Sequence, residues 1–365
     1  MILSRSNVVH YLLEQGLLTL DAVVDGELMV IDATRRNRNF KVMRRGQQGY
    51  FVKQIQLWDA QTVATLGAEA ACYRLAREMP EFSTLAELVP RDFLYDKYRH
   101  VLVTELLADA ESMMDYHRRL NGFPPEAARL VGTQFGRLHR EPMPSLEGRP
   151  EAAGFRRQRP WALSSHQGPD MFGALSGGST KLLQIVQSYP DFQRTLDEMR
   201  ADWRVERLIH GDVKWENCVI YPLASRDGKL GTKLVDWELS DIGDPSWDIG
   251  AVLQAYISFW VFSMRFGADL PAAQLEDTAQ YPIEKMQPSI RAFWQAYIGT
   301  LELERAAAET LLVRSVKYGA ARMIQTAYES MQYSPQILPS ALGLLQVSFN
   351  ILKEPKKAAT QLLGL

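Results

Sequence analysis

The sequence predicts an α+β fold built as two lobes. Two observations predict it. The first hundred residues carry short β-type runs around one helical stretch, and from about residue 108 the pattern is mostly helical. A chain of 365 residues also suits two folding units at ~150 residues each. The expected division is 1–107 for a β-rich N-terminal lobe and 108–365 for a helical C-terminal lobe.

The elements follow in order. Glu27–Ala33 and Phe40–Arg44 read as strands flanking a polar link, Thr34 to Asn39. A turn at Gly46-Gln47-Gln48-Gly49 leads into the strand Tyr50-Phe51-Val52-Lys53. Small and apolar residues at helical spacing (Ala68, Ala71, Cys72, Leu75, Ala76, Met79) predict a helix near 68–79, ended by Pro80. Val89–Tyr95 and His100–Glu105 read as two further strands. Beyond them, Glu126–Arg140 carries an apolar stripe. Residues 141–180 form a Pro-, Gly- and Ser-rich insertion with Arg149, Arg156, Arg157 and Arg159. Helical patterns resume at Lys181–Tyr189 and Asp191–Trp203. Short strands follow at Leu208-Ile209, Cys218–Tyr221 and Lys233–Asp236, and the chain from about 246 onward reads as helix.

Composition narrows the classes. Apolar residues at 46% and charged residues at 23% exclude disorder as the main state. A net charge of −2 gives no overall pull toward nucleic acid or an anionic membrane, and neither is expected as a partner. The start, Met1 to Glu14, does not read as a signal peptide. The uncharged run Ile249–Met264 is shorter than the ~20 residues a bilayer requires and reads as a buried core helix. Two cysteines, Cys72 and Cys218, cannot build a disulfide framework, which fits a cytoplasmic protein.

The sharpest local signal is His210-Gly211-Asp212-Val213-Lys214-Trp215-Glu216-Asn217, set between two apolar strands. Asp236-Trp237-Glu238 follows, then Gly243-Asp244-Pro245-Ser246-Trp247-Asp248, so that the loops lie within 208–250. Phosphoryl transfer explains the combination. The transferring group carries spread negative charge and needs Mg²⁺ to bridge its oxygens, and Mg²⁺ takes hard oxygen ligands. The Asp236 carboxylate and the Asn217 amide suit that ion, and a hairpin of Cys218–Tyr221 with Lys233–Asp236 would bring them together. Asp212 would accept the proton of an attacking hydroxyl. Lys214 would place positive charge beside the γ-phosphate.

On these motifs the chain resembles the aminoglycoside phosphotransferase and choline kinase families, which share the protein-kinase-like fold. The resemblance spans roughly residues 25–330. It implies a bilobal protein-kinase-like fold, ATP (or GTP) and Mg²⁺ as cofactors, Asp212 as catalytic residue, Asn217 and Asp236 as metal ligands, and Asp248 as a structural tie. It further implies that Lys53 contacts the α- and β-phosphates, with Glu69 at the start of the predicted helix as its partner. Backbone groups of Glu105 and Leu107 would meet the purine edge. The phosphate-covering loop, Arg35 to Phe40, has no glycine, so Arg38 and Asn39 stand as its candidate phosphate contacts.

The acceptor is a hydroxyl compound that the sequence does not name. Glu238, Asp241 and Asp244 would give a small cationic acceptor its acidic wall. The basic insertion would suit an acidic or peptide acceptor instead. The Arg35–Val42 and His210–Asn217 segments also resemble phosphotransferase-like proteins that accompany peptide natural-product maturation and phosphorylate Ser or Thr of a precursor peptide. A pseudokinase scaffold is the non-enzymatic alternative. A protein partner is compatible with each reading.

Overall fold

The computed structural model describes residues 1–143, 154–168, 176–223, 228–267 and 274–365. Arg149 of the basic insertion lies outside them. The chain forms two compact units. One contains Met1–Ser112 and Asn217–Ser240; the other contains Met113–Met143, Arg156–Glu216 and Asp241–Leu365. The sequence alone puts everything after 107 in one lobe, whereas the structure groups 217–240 with the N-terminal residues. The reason is strand pairing and packing described below. The boundary at 216/217 falls inside the His210–Asn217 motif, and that at 240/241 falls between Glu238 and Gly243.

The first unit is built on a five-stranded antiparallel sheet of order β1-β2-β3-β5-β4. Its strands are β1 (Leu28–Asp32), β2 (Arg38–Arg44), β3 (Gln47–Gln54), β4 (Asp92–Asp96) and β5 (Val101–Leu106). Alternation along β3 sends Tyr50 and Val52 to one face and Phe51 and Lys53 to the other. Tyr50 and Val52 join Phe40, Val42, Val101 and Val103 in a core that also takes Leu3, Val8, Tyr11, Leu12 and Leu18. Those last residues belong to an N-terminal segment with the helix α1 (Val8–Glu14); a second short helix, α2 (Leu20–Val24), follows. The sequence reading of one helix in this lobe is therefore incomplete. Val8, Tyr11 and Leu12 carry the i, i+3, i+4 spacing of a buried stripe, but over too few residues to stand out.

The main helix, α3 (Ala60–Glu78), begins eight residues before the predicted Ala68. Asp59 caps it, accepting from the backbone N–H groups of Gln61 at 3.0 Å and Thr62 at 2.9 Å. Glu69 consequently lies mid-helix, not in a first turn, and a helix dipole does not account for it. A fourth short helix, α4 (Ser83–Leu88), was not legible as a separate element. The hairpin β8 (Cys218–Pro222) and β9 (Leu230–Leu234) completes this unit, with β6 (Glu111–Ser112) paired to β8.

The second unit is mostly helical. It contains α5 (Met113–Leu120), α6 (Pro125–Arg140), α7 (Gly177–Ser188), α8 (Pro190–Ala201), α9 (Pro245–Phe262), α10 (Ile283–Leu301), α11 (Arg305–Ser330) and α12 (Pro339–Lys353). A two-stranded pair, β7 (Arg207–Ile209) with β10 (Asp241–Gly243), carries the residues that precede the His210–Asn217 loop. The apolar run after Asp248 forms α9, buried on nearly every side. Its backbone reaches that of α11 at Gly250, where an added Cβ would sit 2.5 Å from the Ser315 carbonyl oxygen and 2.6 Å from the Gly319 nitrogen. Only glycine allows that approach, which sets α11, and Arg322 on it, against the helix carrying Asp248. No helix among the described residues is long and apolar enough to cross a membrane.

Candidate active site

In the first unit, Lys53 is the centre of a charge cluster. Its Nζ donates to Glu69 Oε2 at 2.7 Å and to Asp236 Oδ1 at 2.5 Å, and lies 3.7 Å from Glu238 Oε2. The strand register turns Lys53 away from the valine core toward α3. Burial works against its charge, but Glu69, Asp236 and Glu238 outweigh it and hold the ammonium protonated far above the usual lysine range. Burial pushes the Glu69 carboxyl upward, against the pull of Lys53. The two directions are compatible: one ammonium shared by three carboxylates cannot neutralise them all, and the most deeply buried acid yields.

Asp236 stands in the left-handed region, φ +66°, where β9 ends and the short 3₁₀ turn Trp237–Leu239 begins. Asp tolerates that conformation better than most residues, and the outlier turns its carboxylate off the strand path. The Trp237 ring anchors the turn, its Nε1 donating to the Leu234 carbonyl at 2.9 Å. Across the hairpin, the Val235 N–H donates to the Asn217 carbonyl at 2.9 Å, and Cys218 pairs with Leu234. Asn217 and Asp236 thus sit at the same end of one hairpin. Glu238, buried two residues on, receives Arg36 Nη1 at 2.7 Å.

In the second unit, the loop that begins at His210 is pinned by the start of α9. Asp248, in the first turn of α9, accepts the backbone N–H of His210 at 2.7 Å and of Gly211 at 3.0 Å. Trp247 Nε1 donates to the Gly211 carbonyl at 3.0 Å. Gly211 has φ +78°, a left-handed turn that a side chain would strain. Asp212 follows it, buried, with both oxygens engaged. Oδ1 accepts from Arg322 Nη2 at 2.8 Å and Oδ2 from Lys214 Nζ at 2.9 Å. Burial alone would raise its pKa. Arg322 first, then Lys214, outweigh that and hold the carboxyl well below the usual range.

The remaining predicted residues fall elsewhere. Arg38 and Asn39 belong to β2, not to the loop. Arg38 Nη1 donates to the Ile55 carbonyl at 3.3 Å, and the Asn39 N–H donates to Thr34 Oγ1 at 3.3 Å. The loop arginine that reaches the acidic cluster is Arg36, through Glu238. Glu105 spends its N–H on the Arg91 carbonyl at 2.8 Å and its side chain on the Arg91 N–H at 2.9 Å. Its N–H is therefore committed to the continuation of the β4–β5 pairing. Leu107 lies just past the end of β5. His139, on α6, is a packed residue whose Nδ1 meets Tyr297 Oη at 3.0 Å.

Three residues escaped the sequence reading. Arg36 was one arginine among several. Glu238 looked like substrate wall. Arg322 sits on a helix with no motif around it. Arg322→Gln is expected to lower stability, because it breaks a buried ion pair, and to move the pH profile. In the wild type the folded-state pKa of Asp212 lies below the unfolded one. Ionised Asp212 therefore stabilises the fold throughout the range above the unfolded value near ~4, and this is lost only as pH falls through the depressed folded value. With Arg322 gone, burial counts for more, and the acid limb of kcat should rise toward neutral pH. Arg322→Lys should restore part of the shift. An unchanged profile would remove Arg322 from the mechanism.

The strand-and-helix first unit, the pinned His210-Gly211-Asp212 loop and the Lys53–Glu69–Asp236 cluster define a protein-kinase-like phosphotransferase. The profile of the phosphotransferase enzyme family (APH) matches residues 27–291, and the chain belongs to that family. Solved structures share the fold at low identity. A choline kinase from Cryptosporidium parvum Iowa II is 10% identical with a TM-score of 0.57, covering 98% of both chains. The ADP-bound aminoglycoside phosphotransferase APH(2'')-Ib is 13% identical with a TM-score of 0.52, over 96% of this chain and 99% of that one. The amicoumacin kinase hAmiN, in complex with AMP-PNP, Ca²⁺ and Ami, is 11% identical with a TM-score of 0.52, over 94% and 95%. No curated protein sequence matches the chain significantly.

Proposed function

We propose that this chain transfers the γ-phosphate of ATP, or of GTP, to a hydroxyl of a small-molecule acceptor. The observation that carries the reading is the buried Lys53 ammonium held between Glu69 and Asp236. Such a group is placed to neutralise phosphate oxygens once Asp236 turns to another cation. Asp236 and Asn217 supply a carboxylate and an amide, the hard oxygen donors that Mg²⁺ prefers, so the donor set fits that ion. When bound, Mg²⁺ supplies charge neutralisation on the phosphate oxygens.

The protein groups then divide the work. Lys53 binds phosphate, and Glu69 keeps its stem oriented. Asp212 orients the acceptor hydroxyl and takes its proton. A carboxyl so strongly acidic is a weak base, but the transition state of phosphoryl transfer is loose and the hydroxyl proton leaves late. Position therefore matters more than basicity. Lys214, 41% exposed in its side chain and paired with Asp212, would add positive charge beside the transferring group. The buried thiols Cys72 and Cys218 support a reducing, cytoplasmic setting.

Thermal shift with Mg·ATP, Mg·GTP and each nucleotide without metal tests the reading, followed by ³²P transfer over amino alcohols, aminoglycosides and Ser-containing peptides. Metal-dependent stabilisation with transfer to a hydroxyl is expected. No stabilisation at millimolar nucleotide would favour the scaffold alternative.

A further inference from the structure

We infer that the acceptor carries negative charge beside its hydroxyl, and that Arg156 and Arg159 receive it. The inference rests on the kinase reading and names its substrate class. Two sets of observations lead to it.

The acids that would recognise a cationic acceptor are already taken. Glu238 is paired with Arg36. Asp244 caps α9 through the Ser246 N–H at 3.0 Å and binds Arg314 Nε at 2.7 Å and Tyr318 Oη at 3.1 Å. Asp241 accepts the backbone N–H of Arg157 at 2.7 Å with one oxygen and that of Gln158 at 2.8 Å with the other. Glu238 and Asp244 are ion-paired, and both oxygens of Asp241 are spent on backbone N–H groups.

The same clasp displays a basic segment. Arg157 has φ +55°, which aims two successive N–H groups at one carboxylate, and Asp241 fills the concavity they form. Arg156, Arg157 and Arg159 stand exposed around it. No ion pair involves them among the described residues. The segment is anchored on its far side as well. The Trp161 ring packs on Tyr328 of α11, centroids 5.2 Å apart, and Ala162 and Leu163 are fully buried. Its location is set by strand pairing: Asp241 lies opposite Ile209, and Asp212 comes three residues later. Three residues of chain span at most about 10 Å, so the arginines and the catalytic carboxylate share one neighbourhood of the second unit. Exposed guanidinium groups on a backbone held there favour carboxylates by long-range attraction and by forked hydrogen bonds.

The test is binding first and turnover second. Anisotropy of a labelled Glu-Glu-Ser-Glu-Glu peptide, with Lys-Lys-Ser-Lys-Lys as the comparison, should show preference for the acidic peptide. Arg156→Gln with Arg159→Gln should weaken it by at least ~10-fold, as should raising salt from low to moderate ionic strength. Asp241→Asn, which loosens the clasp without touching the arginines, should weaken it less. Displacement by citrate would assign the site to a small hydroxy acid, and its absence to an extended chain; both support an anion site. Equal binding of the two peptides, or indifference of the acidic one to the arginine pair, overturns the inference. The kinase reading stands or falls separately, on metal-dependent nucleotide stabilisation. In turnover with the acidic peptide, the arginine variants should raise KM for the acceptor far more than they lower kcat.

Discussion

Replacing Asp212 with asparagine lowers kcat by about 10²- to 10⁴-fold and leaves nucleotide binding nearly unchanged. The substitution keeps an acceptor at Oδ1 for Arg322, so the loop held by Asp248 is expected to keep its path. What disappears is a charged oxygen able to orient a hydroxyl and take its proton. Because Lys214 and Arg322 then face a neutral amide, some stability is also lost, and kcat should be compared at a temperature where both proteins are folded. Steady-state kinetics beside Mg·ATP thermal shift separates the two effects. Turnover equal to wild type would refute the role of Asp212. The wild-type acid limb of kcat should not reflect Asp212 at ordinary pH, since its folded-state value is far below that range.

Lys53→Met has the largest expected effect on the other unit. It deletes the one cation that Glu69 and Asp236 share, and strands the buried Glu69 carboxyl at 4% side-chain exposure. Breaking a buried pair from one side costs on the order of 3–5 kcal/mol. Asp236, a third exposed, contributes little of that, since water screens it. Nucleotide affinity should fall together with stability. The double variant Lys53→Met, Glu69→Gln separates the causes. It removes the stranded acid, so much of the stability returns while the nucleotide defect remains. If the double variant is no more stable than the single one, the cluster is not held by charge as described. If it binds Mg·ATP like wild type, Lys53 does not contact the phosphates.

Sequence and structure agree most closely where the chemistry is local. His210 to Asn217 and Asp236 to Glu238 are contiguous, and turn geometry within each segment already restricts where their side chains point. Gly211 and Asp236 carry the left-handed angles that make this possible. The phosphate-covering loop was less legible. A strand boundary displaced by two residues moves Arg38 and Asn39 from loop to β2, and leaves Arg36 as the arginine that reaches Glu238. Charge alone could not rank the arginines, because each is as basic as the next.

By itself the sequence determined the two-lobed α+β class, and it singled out the His210–Asn217 and Asp236–Glu238 segments and the strand that carries Lys53. The class follows from periodicity, which acts within a few residues; the segments stand out through their local pattern and their resemblance to a known family. Only the tertiary structure decided which charges meet. Arg322 comes 110 residues after Asp212, Glu238 comes 202 after Arg36, and Asp241 comes 84 after Arg157. Such pairs are selected by helix packing and by the cost of burying an uncompensated charge, and neither leaves a repeat or a motif along the chain.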